Sequence, residues 1–139
     1  MPRTLRSAID RFRPVFLERR KETRIPCLVP LRFSPLSGTL AKPLHIGRSK
    51  DVSSGGMKLT AMTPLERNSV ALLDFDTSKI TAHVEIEKIL TISARRVIVE
   101  VVWRKLNLDT GLFDAGVRFI ERTRANEFED HILKAKTLD

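Results

Sequence analysis

Apolar residues recur at every second position along most of the chain, which is the period of a β-strand with one buried face. Within residues 56–61, for example, Met57 and Leu59 alternate with Lys58 and Thr60. Comparable strand signals occupy residues 25–33, 44–50, 70–75, 81–87, 96–104 and 115–120. Many short strands separated by turn signals predict a small antiparallel barrel or sandwich.

The strand signal of residues 25–33 is interrupted by two prolines. Pro26 and Pro30 lie on the face opposite the apolar positions, and proline cannot donate to a sheet ladder. This places the strand at a sheet edge or at a bulge. Cys27 falls on the apolar face, which indicates a buried structural thiol.

Both ends of the chain show the longer apolar period of a helix. Near the C-terminus, with Thr123 as the predicted N-cap, one helical face carries Ala125, Phe128, Ile132 and Ala135. We expect this helix to pack on the barrel. Residues 4–13 predict a short amphipathic helix that ends before Pro14, with a flexible leader as the alternative.

The charge of the chain is concentrated in its first third. A net charge of +8 is typical of proteins that bind nucleic acid or anionic membranes. Residues 1–50, however, contain twelve basic and three acidic residues, whereas the remaining 89 residues sum to −1. We therefore expect an anion-binding arm and not a basic stripe along the fold.

Composition narrows the class of protein further. With 139 residues, 42% of them hydrophobic, the chain fits one domain with its own core. Its single cysteine excludes an intramolecular disulfide and a multi-cysteine metal site, which fits a reducing cytoplasm. No apolar run approaches the ~20 residues that span a bilayer, and the N-terminus lacks the apolar stretch of a signal peptide. We expect a soluble, cytoplasmic protein without membrane insertion.

Catalysis has little support in the sequence. His45, His83 and His131 lie in separate elements without metal-ligand or nucleophile spacing, and the sequence contains no phosphate-cradling P-loop. We predict that the protein is not an enzyme and uses no cofactor or metal.

A first polar cluster consists of Arg20 and Arg24, four residues apart, with Arg19 beside them. Guanidinium groups are planar, always charged, and match a phosphate or the O6/N7 edge of guanine with paired hydrogen bonds. The spacing alone is unspecific, because it recurs at Arg118 and Arg122.

A second cluster, Asp51-x-Ser53-x-x-Gly56, supplies what arginines lack. Asp51 can accept the donors of a guanine edge, and Ser53 can donate or accept. Gly56 lets the backbone approach a ligand closely or take a positive φ. An ordinary turn is the alternative interpretation, since Asp, Ser and Gly are common turn residues.

Taken with the strands around them, the two clusters resemble the PilZ domain over about residues 19–121. The resemblance rests on four segments in the family's order: Arg20-x-x-x-Arg24, Asp51-x-Ser53-x-x-Gly56, Val101-Val102-Trp103-Arg104 and Gly116-Val117-Arg118-Phe119. PilZ domains are receptors for the bacterial second messenger cyclic di-GMP, so the resemblance implies that ligand.

The resemblance also implies the organisation of the chain. We expect a mainly β fold, a small antiparallel barrel of six to seven strands with a C-terminal α-helix and a short N-terminal helix. The expected parts are a helical leader at residues 1–18, the PilZ barrel at 19–121 and the closing helix at 122–139.

By the same resemblance, Arg20 and Arg24 contact the ligand's phosphates and guanine edges. Asp51, Ser53 and Gly56 carry over as ligand-binding residues because they match the motif by position.

Arg19 and Trp103 each have two open interpretations. In the family, an arginine before the motif favours an intercalated dimer of the nucleotide, but Arg19 is equally a solvated arginine. The indole of Trp103 is a stacking platform for a purine. Because Trp103 shares strand parity with Val97, Val99 and Val101, a core role is the rival interpretation.

We predict a cyclic di-GMP receptor whose N-terminal arm changes conformation on binding, so that an unidentified protein partner reads the change. The ligand binds as one molecule or as an intercalated dimer. The alternative is a small basic barrel that binds RNA or single-stranded DNA. Seven Phe, one Trp and no Tyr make nucleic acid the weaker choice, since such barrels need several stacking platforms.

Overall fold

The computed structural model describes residues 23–36 and 44–138. The helix predicted over residues 4–13 lies outside these ranges, as do Arg19 and Arg20. The elements are β1 (Ile25–Pro26), β2 (Pro30–Pro35), β3 (His45–Val52), β4 (Gly56–Ala61), β5 (Val70–Asp74), β6 (Arg96–Asn107), β7 (Leu112–Phe119) and α1 (Glu129–Lys136). Short 3₁₀ segments occupy Thr77–Lys79, Ile86–Lys88 and Arg122–Phe128.

Six antiparallel strands close into a barrel. Their order is β3-β2-β5-β6-β7-β4, and β4 pairs with β3 to complete the ring. The seventh strand, β1, adds to β3 through the pairs Ile25–Val52 and Pro26–Asp51. The predicted mainly β barrel is confirmed, and closure gives each ring strand a partner on both sides.

The barrel interior is filled by alternate residues of each strand. Met57 and Leu59 of β4 are fully buried, as their pattern predicts, and they pair with Val117 and Ala115 of β7. Phe33 of β2 is also fully buried. Since burial of one large apolar side chain contributes about 1.5–3 kcal/mol, this interior is the main source of stability.

A second apolar cluster lies outside the ring, under the C-terminal segment. Leu72 and Ile98 point outward from β5 and β6 and belong to one buried cluster with Phe128 and Ala135. The C-terminal helix therefore covers one side of the barrel. Within residues 23–36 and 44–138, no helix has the length and apolar content needed to cross a bilayer.

The predicted cap of this helix is wrong. Thr123 lies inside the 3₁₀ segment Arg122–Phe128, and Phe128 precedes α1 without a side-chain capping bond. Burial of Phe128 in the outer cluster explains this start, because packing and not a polar cap determines where the helix begins.

The strand signal over residues 81–87 is also a wrong prediction. The segment forms turns and ends in Ile86–Lys88, and Ala82 on the predicted apolar face is exposed. The buried residues are Ile80 and Val84, four positions apart, and the amide of Val84 donates to the carbonyl of Ile80 at 3.0 Å. The segment therefore anchors itself to the barrel through one turn.

The strand predicted over residues 25–33 divides into β1 and β2. Pro30 is the first residue of β2, where a missing N–H interrupts no ladder bond. Ser49 bridges the interruption: its Oγ accepts from the amide of Val29 at 2.8 Å and donates to the carbonyl of Cys27 at 2.5 Å. Cys27 is half-buried and packs against the core.

A buried carboxylate connects three strands with the end of the chain. Asp74 is 4% exposed, and its oxygens lie 3.1 Å from Arg96 Nε, 3.3 Å from Arg95 Nε and 3.4 Å from Arg32 Nη2. Arg96 Nη1 also donates to the carbonyl of Leu138 at 2.6 Å. Asp74 therefore links β2, β5 and β6 beside the outer cluster.

Candidate functional site

An open cleft of about 680 Å³ lies on the outer face of β4, β7 and β6. Arg24, the turn Ser54–Gly56 and the segment that contains His83 and Lys88 all line this cleft. Trp103 also contributes to its lining. The cleft thus lies where the second polar cluster meets the outer surface of the barrel.

A β-bulge in β3 turns Asp51 toward this outer face. Ser49 pairs with Leu59 and Asp51 with Lys58, so Lys50 is an extra residue without a partner on β4. Regular alternation would have sent Asp51 into the barrel, because Ser49 is already inward. Bulges commonly re-aim a side chain beside a functional site.

A second bulge, in β6, does the same for Trp103. Val101 pairs with Val117 and Trp103 with Gly116, which leaves Val102 as the extra residue. Val101 and Val117 are buried in the interior, so the residue opposite Gly116 faces outward. The core interpretation of Trp103 is therefore wrong, since it assumed unbroken alternation from Val97.

The indole of Trp103 lies directly on Gly116. A Cβ added to Gly116 would lie 2.1 Å from Trp103 Nε1, a distance that no side chain tolerates. Lys58 lies on β4, opposite Gly116, and its Nζ approaches to 5.9 Å from the centroid of the indole, within cation–π range. The sheet thus holds an aromatic surface flat against its outer face.

Gly56 packs closely against the neighbouring strand β7. Its φ is not in the left-handed region, and an added Cβ would lie 2.1 Å from the carbonyl oxygen of Val117. The close approach that requires glycine is therefore to strand β7, as β4 leaves the turn.

Ser53 lies inside the turn that joins β3 to β4. Its side chain is buried, its amide donates to the carbonyl of Gly56 at 2.8 Å, and its Oγ lies 3.4 Å from the same oxygen. Ser54 and Gly55, the two residues between, line the cleft. The geometry gives Ser53 a role in fixing this turn.

The two polar clusters meet through Arg24 and Asp51, which are 27 positions apart in the chain. Arg24 Nη1 donates to Asp51 Oδ1 at 2.8 Å, and the two side chains are 50% and 23% exposed. Such a partly exposed pair contributes about 0–1 kcal/mol. A stronger anionic ligand can therefore replace Asp51 as the partner of Arg24 at small cost.

The far wall of the cleft was not predicted. His83, Glu85 and Lys88 line it, and Lys88 Nζ lies 3.3 Å from Glu85 Oε2. Glu121 continues this wall, through the isolated bridge that it forms with Ile89. Because the strand pattern predicted over residues 81–87 is not the structure that forms, only their place in the fold identifies these residues.

A chain of charges leads from the cleft to the C-terminal segment. Arg118 Nε and Arg124 Nη1 each lie 3.6 Å from Glu100 Oε1. Arg124 also donates to Glu127, and this hydrogen bond raises the pKa of Arg124 and lowers the pKa of Glu127. The third cation of the cleft, Arg118, is thus paired as Arg24 and Lys88 are.

The structure is a small closed barrel with arginine and lysine side chains in a cleft on its outer face, an arrangement that can hold an anionic ligand. The family model of the PilZ domain matches residues 18–134, and the chain belongs to the PilZ family, a family of cyclic di-GMP-binding receptors. No curated protein matches the chain. No finding supports the RNA or single-stranded DNA alternative, and the other aromatic that lines the cleft, Phe119, is buried.

Proposed function

We propose that this chain binds cyclic di-GMP in the cleft beside β4 and β7. The observation that carries the proposal is the 2.8 Å contact between Arg24 and Asp51, which brings the arginine half and the aspartate half of the motif together beside the cleft. Family membership supports the ligand, because PilZ domains are cyclic di-GMP-binding receptors.

In this proposal the arginines recognise the phosphates. Arg24 exchanges Asp51 for a phosphate oxygen or a guanine edge. Arg20, four residues earlier in the sequence, contacts the same ligand. A guanidinium suits this role because it donates two parallel bonds to one anion. Arg19 would extend the cationic surface if a second, intercalated nucleotide binds.

The barrel recognises the bases. Asp51 faces outward at the bulge, where its carboxylate can accept the donors of a guanine edge. Ser53 and Gly56 shape the turn that brings the backbone of Gly55 to the cleft. The indole of Trp103, flat on Gly116, offers a face on which a guanine stacks.

Binding would also change the segment before β1. The Arg24–Asp51 pair links this segment to β3. When the phosphates take over Arg24, the arm adopts a new position, and a protein partner reads the difference. We propose a non-enzymatic, cytoplasmic effector that needs no cofactor beyond this ligand.

Isothermal titration calorimetry with the full chain tests the proposal. We expect saturable heat with cyclic di-GMP and none with GMP, GTP or a short RNA. Arg20→Ala and Asp51→Ala should each weaken binding about tenfold or more, since one hydrogen bond to a charged group is worth about 1.5–3 kcal/mol. The emission of Trp103 gives a second readout, because it is the single tryptophan.

Two matched variants control for general loss of charge. Arg67→Ala and Asp109→Ala remove exposed residues that do not line the cleft, and both should bind as wild type. Tight binding of RNA without any binding of cyclic di-GMP would refute the proposal. A stoichiometry of two nucleotides per chain would favour the dimer and a role for Arg19.

A further inference from the structure

We infer that Lys88 is a ligand-binding residue on the far wall of the cleft, and that Glu85 holds its ammonium group in an ion pair until an anionic ligand arrives. The inference rests on the proposed function, because it assigns further residues to the same cleft. Glu85 and Lys88 lie outside the two polar clusters, at the end of the segment whose polarity pattern had predicted a strand.

Hydrogen bonds fix the backbone around Lys88. The amide of Lys88 donates to the carbonyl of Glu85 at 3.0 Å, and Arg122 Nε donates to the carbonyl of Ile89 at 3.3 Å. Ile89 is buried and bridges to Glu121. The position of the Lys88 backbone is therefore set by the barrel and by the C-terminal segment together.

The side chain of Lys88 remains adaptable. Lys88 and Glu85 are 70% and 67% exposed, and their 3.3 Å contact is a surface ion pair that costs little to open. A lysine ammonium is a point charge on a flexible four-carbon stem, so it can swing from Glu85 to a phosphate without a fixed geometry. An arginine fork would demand a matching plane.

The chemistry of the ligand calls for a cation on this wall. Cyclic di-GMP carries two phosphates on opposite sides of its ring, so arginines from one side of the cleft reach one phosphate more readily than the other. Arg24 and Lys88 line the same cleft from two separate segments of the chain, one before β1 and one after β5, so they can contact different phosphates. Within the described residues, the remaining cleft cation is Arg118, which lies 3.6 Å from Glu100.

Glu85 opposes binding in this arrangement. With the ligand absent, its carboxylate neutralises Lys88; with a phosphate present, the two anions compete for one ammonium. Removing the carboxylate should therefore tighten binding, and it should do so only while Lys88 is present. This dependence separates the inference from a general change in surface charge.

A double-mutant cycle measured by calorimetry with cyclic di-GMP tests this. We expect Lys88→Ala to weaken binding about three- to tenfold and Glu85→Gln to tighten it about two- to fivefold, the size of one partly screened charge contact. The double variant should bind like Lys88→Ala alone. Lys79→Ala and Glu87→Gln, exposed neighbours that do not line the cleft, should match wild type.

The outcomes distinguish the inference from the proposed function. If wild type does not bind, or Arg24→Ala binds as wild type, the proposed function fails. If Arg24→Ala loses binding while Lys88→Ala and Lys88→Gln match wild type, Lys88 belongs to a solvated surface pair and the inference is overturned. Unchanged or weaker binding by Glu85→Gln overturns the role given to Glu85.

Discussion

At the scale of single residues, Gly116 determines where the indole of Trp103 lies. Its φ is outside the left-handed region, so the backbone does not require glycine there. The ring does, because an added Cβ would lie 2.1 Å from Nε1. The aromatic surface on which we propose that guanine stacks depends on the absence of one methyl group.

Gly116→Val should displace this ring. We expect cyclic di-GMP binding to weaken about tenfold, since one base–aromatic stack is worth about 1–3 kcal/mol. Overpacking should lower the free energy of unfolding by about 1–3 kcal/mol. Calorimetry measures the change in affinity, and the emission of Trp103 reports the displacement of the ring. Thr60→Val, on the outer face of β4 but away from the cleft, is the control; unshifted emission in Gly116→Val would contradict the packing described.

At the scale of elements, what the sequence predicts well is local alternation. Strand β4 has the predicted position, because its residues follow one period. The face of Trp103 required knowledge of the bulge at Val102. That residue is one valine among several, and the bulge arises from pairing with β7, which no local pattern encodes.

The sequence did not predict the far wall of the cleft, for a related reason. Residues 81–87 alternate in polarity, yet burial selects Ile80 and Val84 and leaves Ala82 exposed. Tertiary packing decides which of two compatible patterns is used. Lys88 becomes a cleft residue only because this segment meets Glu121, more than thirty positions away.

We predict that the stability of the fold depends on pH through His131 of the C-terminal helix. Burial, together with the nearby Lys134, lowers the pKa of His131, whose ring lies 5.7 Å from that of Phe128. As the pH falls, His131 of the unfolded chain is therefore protonated before His131 of the folded protein, because the ordinary pKa of histidine is about 6.5. Stability should be full well above that pH, fall as the pH drops through it, and level off below the folded pKa.

Urea unfolding of wild type and His131→Gln at pH 7.5, 6.5 and 5.5 measures this contribution. We expect the wild type to lose more stability over this interval than the variant. His83→Gln, a histidine of the cleft wall, serves as control and should keep the wild-type difference. Equal pH dependence in wild type and His131→Gln would contradict the lowered pKa of His131.

At the scale of the whole molecule, stability and recognition occupy different sides of the barrel. The C-terminal segment and Asp74 hold the outer faces of β5 and of the first half of β6. The cleft uses β4, β7 and the middle of β6. Asp74 does not line the cleft, so a change of this residue can be tested without direct disturbance of the binding site.

Asp74→Ala should destabilise the fold and spare the cleft. We expect the free energy of unfolding to fall by about 2 kcal/mol, below the usual value for a broken buried pair, because Arg32 and Arg95 can turn to water. Denaturant titration measures the loss, and calorimetry below the unfolding transition should give wild-type affinity for cyclic di-GMP. Asp109→Ala, in the exposed hairpin turn, should leave the stability unchanged.

The two bulges also affect how the chain tolerates changes in length. In a regular strand, loss of one residue exchanges inward and outward side chains along the rest of the strand. Loss of Lys50 or Val102 does not exchange the two faces, because each is the extra residue of a bulge and its neighbours are already paired across the sheet. Deletion of either one restores plain alternation and leaves Asp51 and Trp103 on the outer face. Strands β3 and β6 can therefore each be one residue shorter in a protein that keeps Asp51 and Trp103 on the outer face.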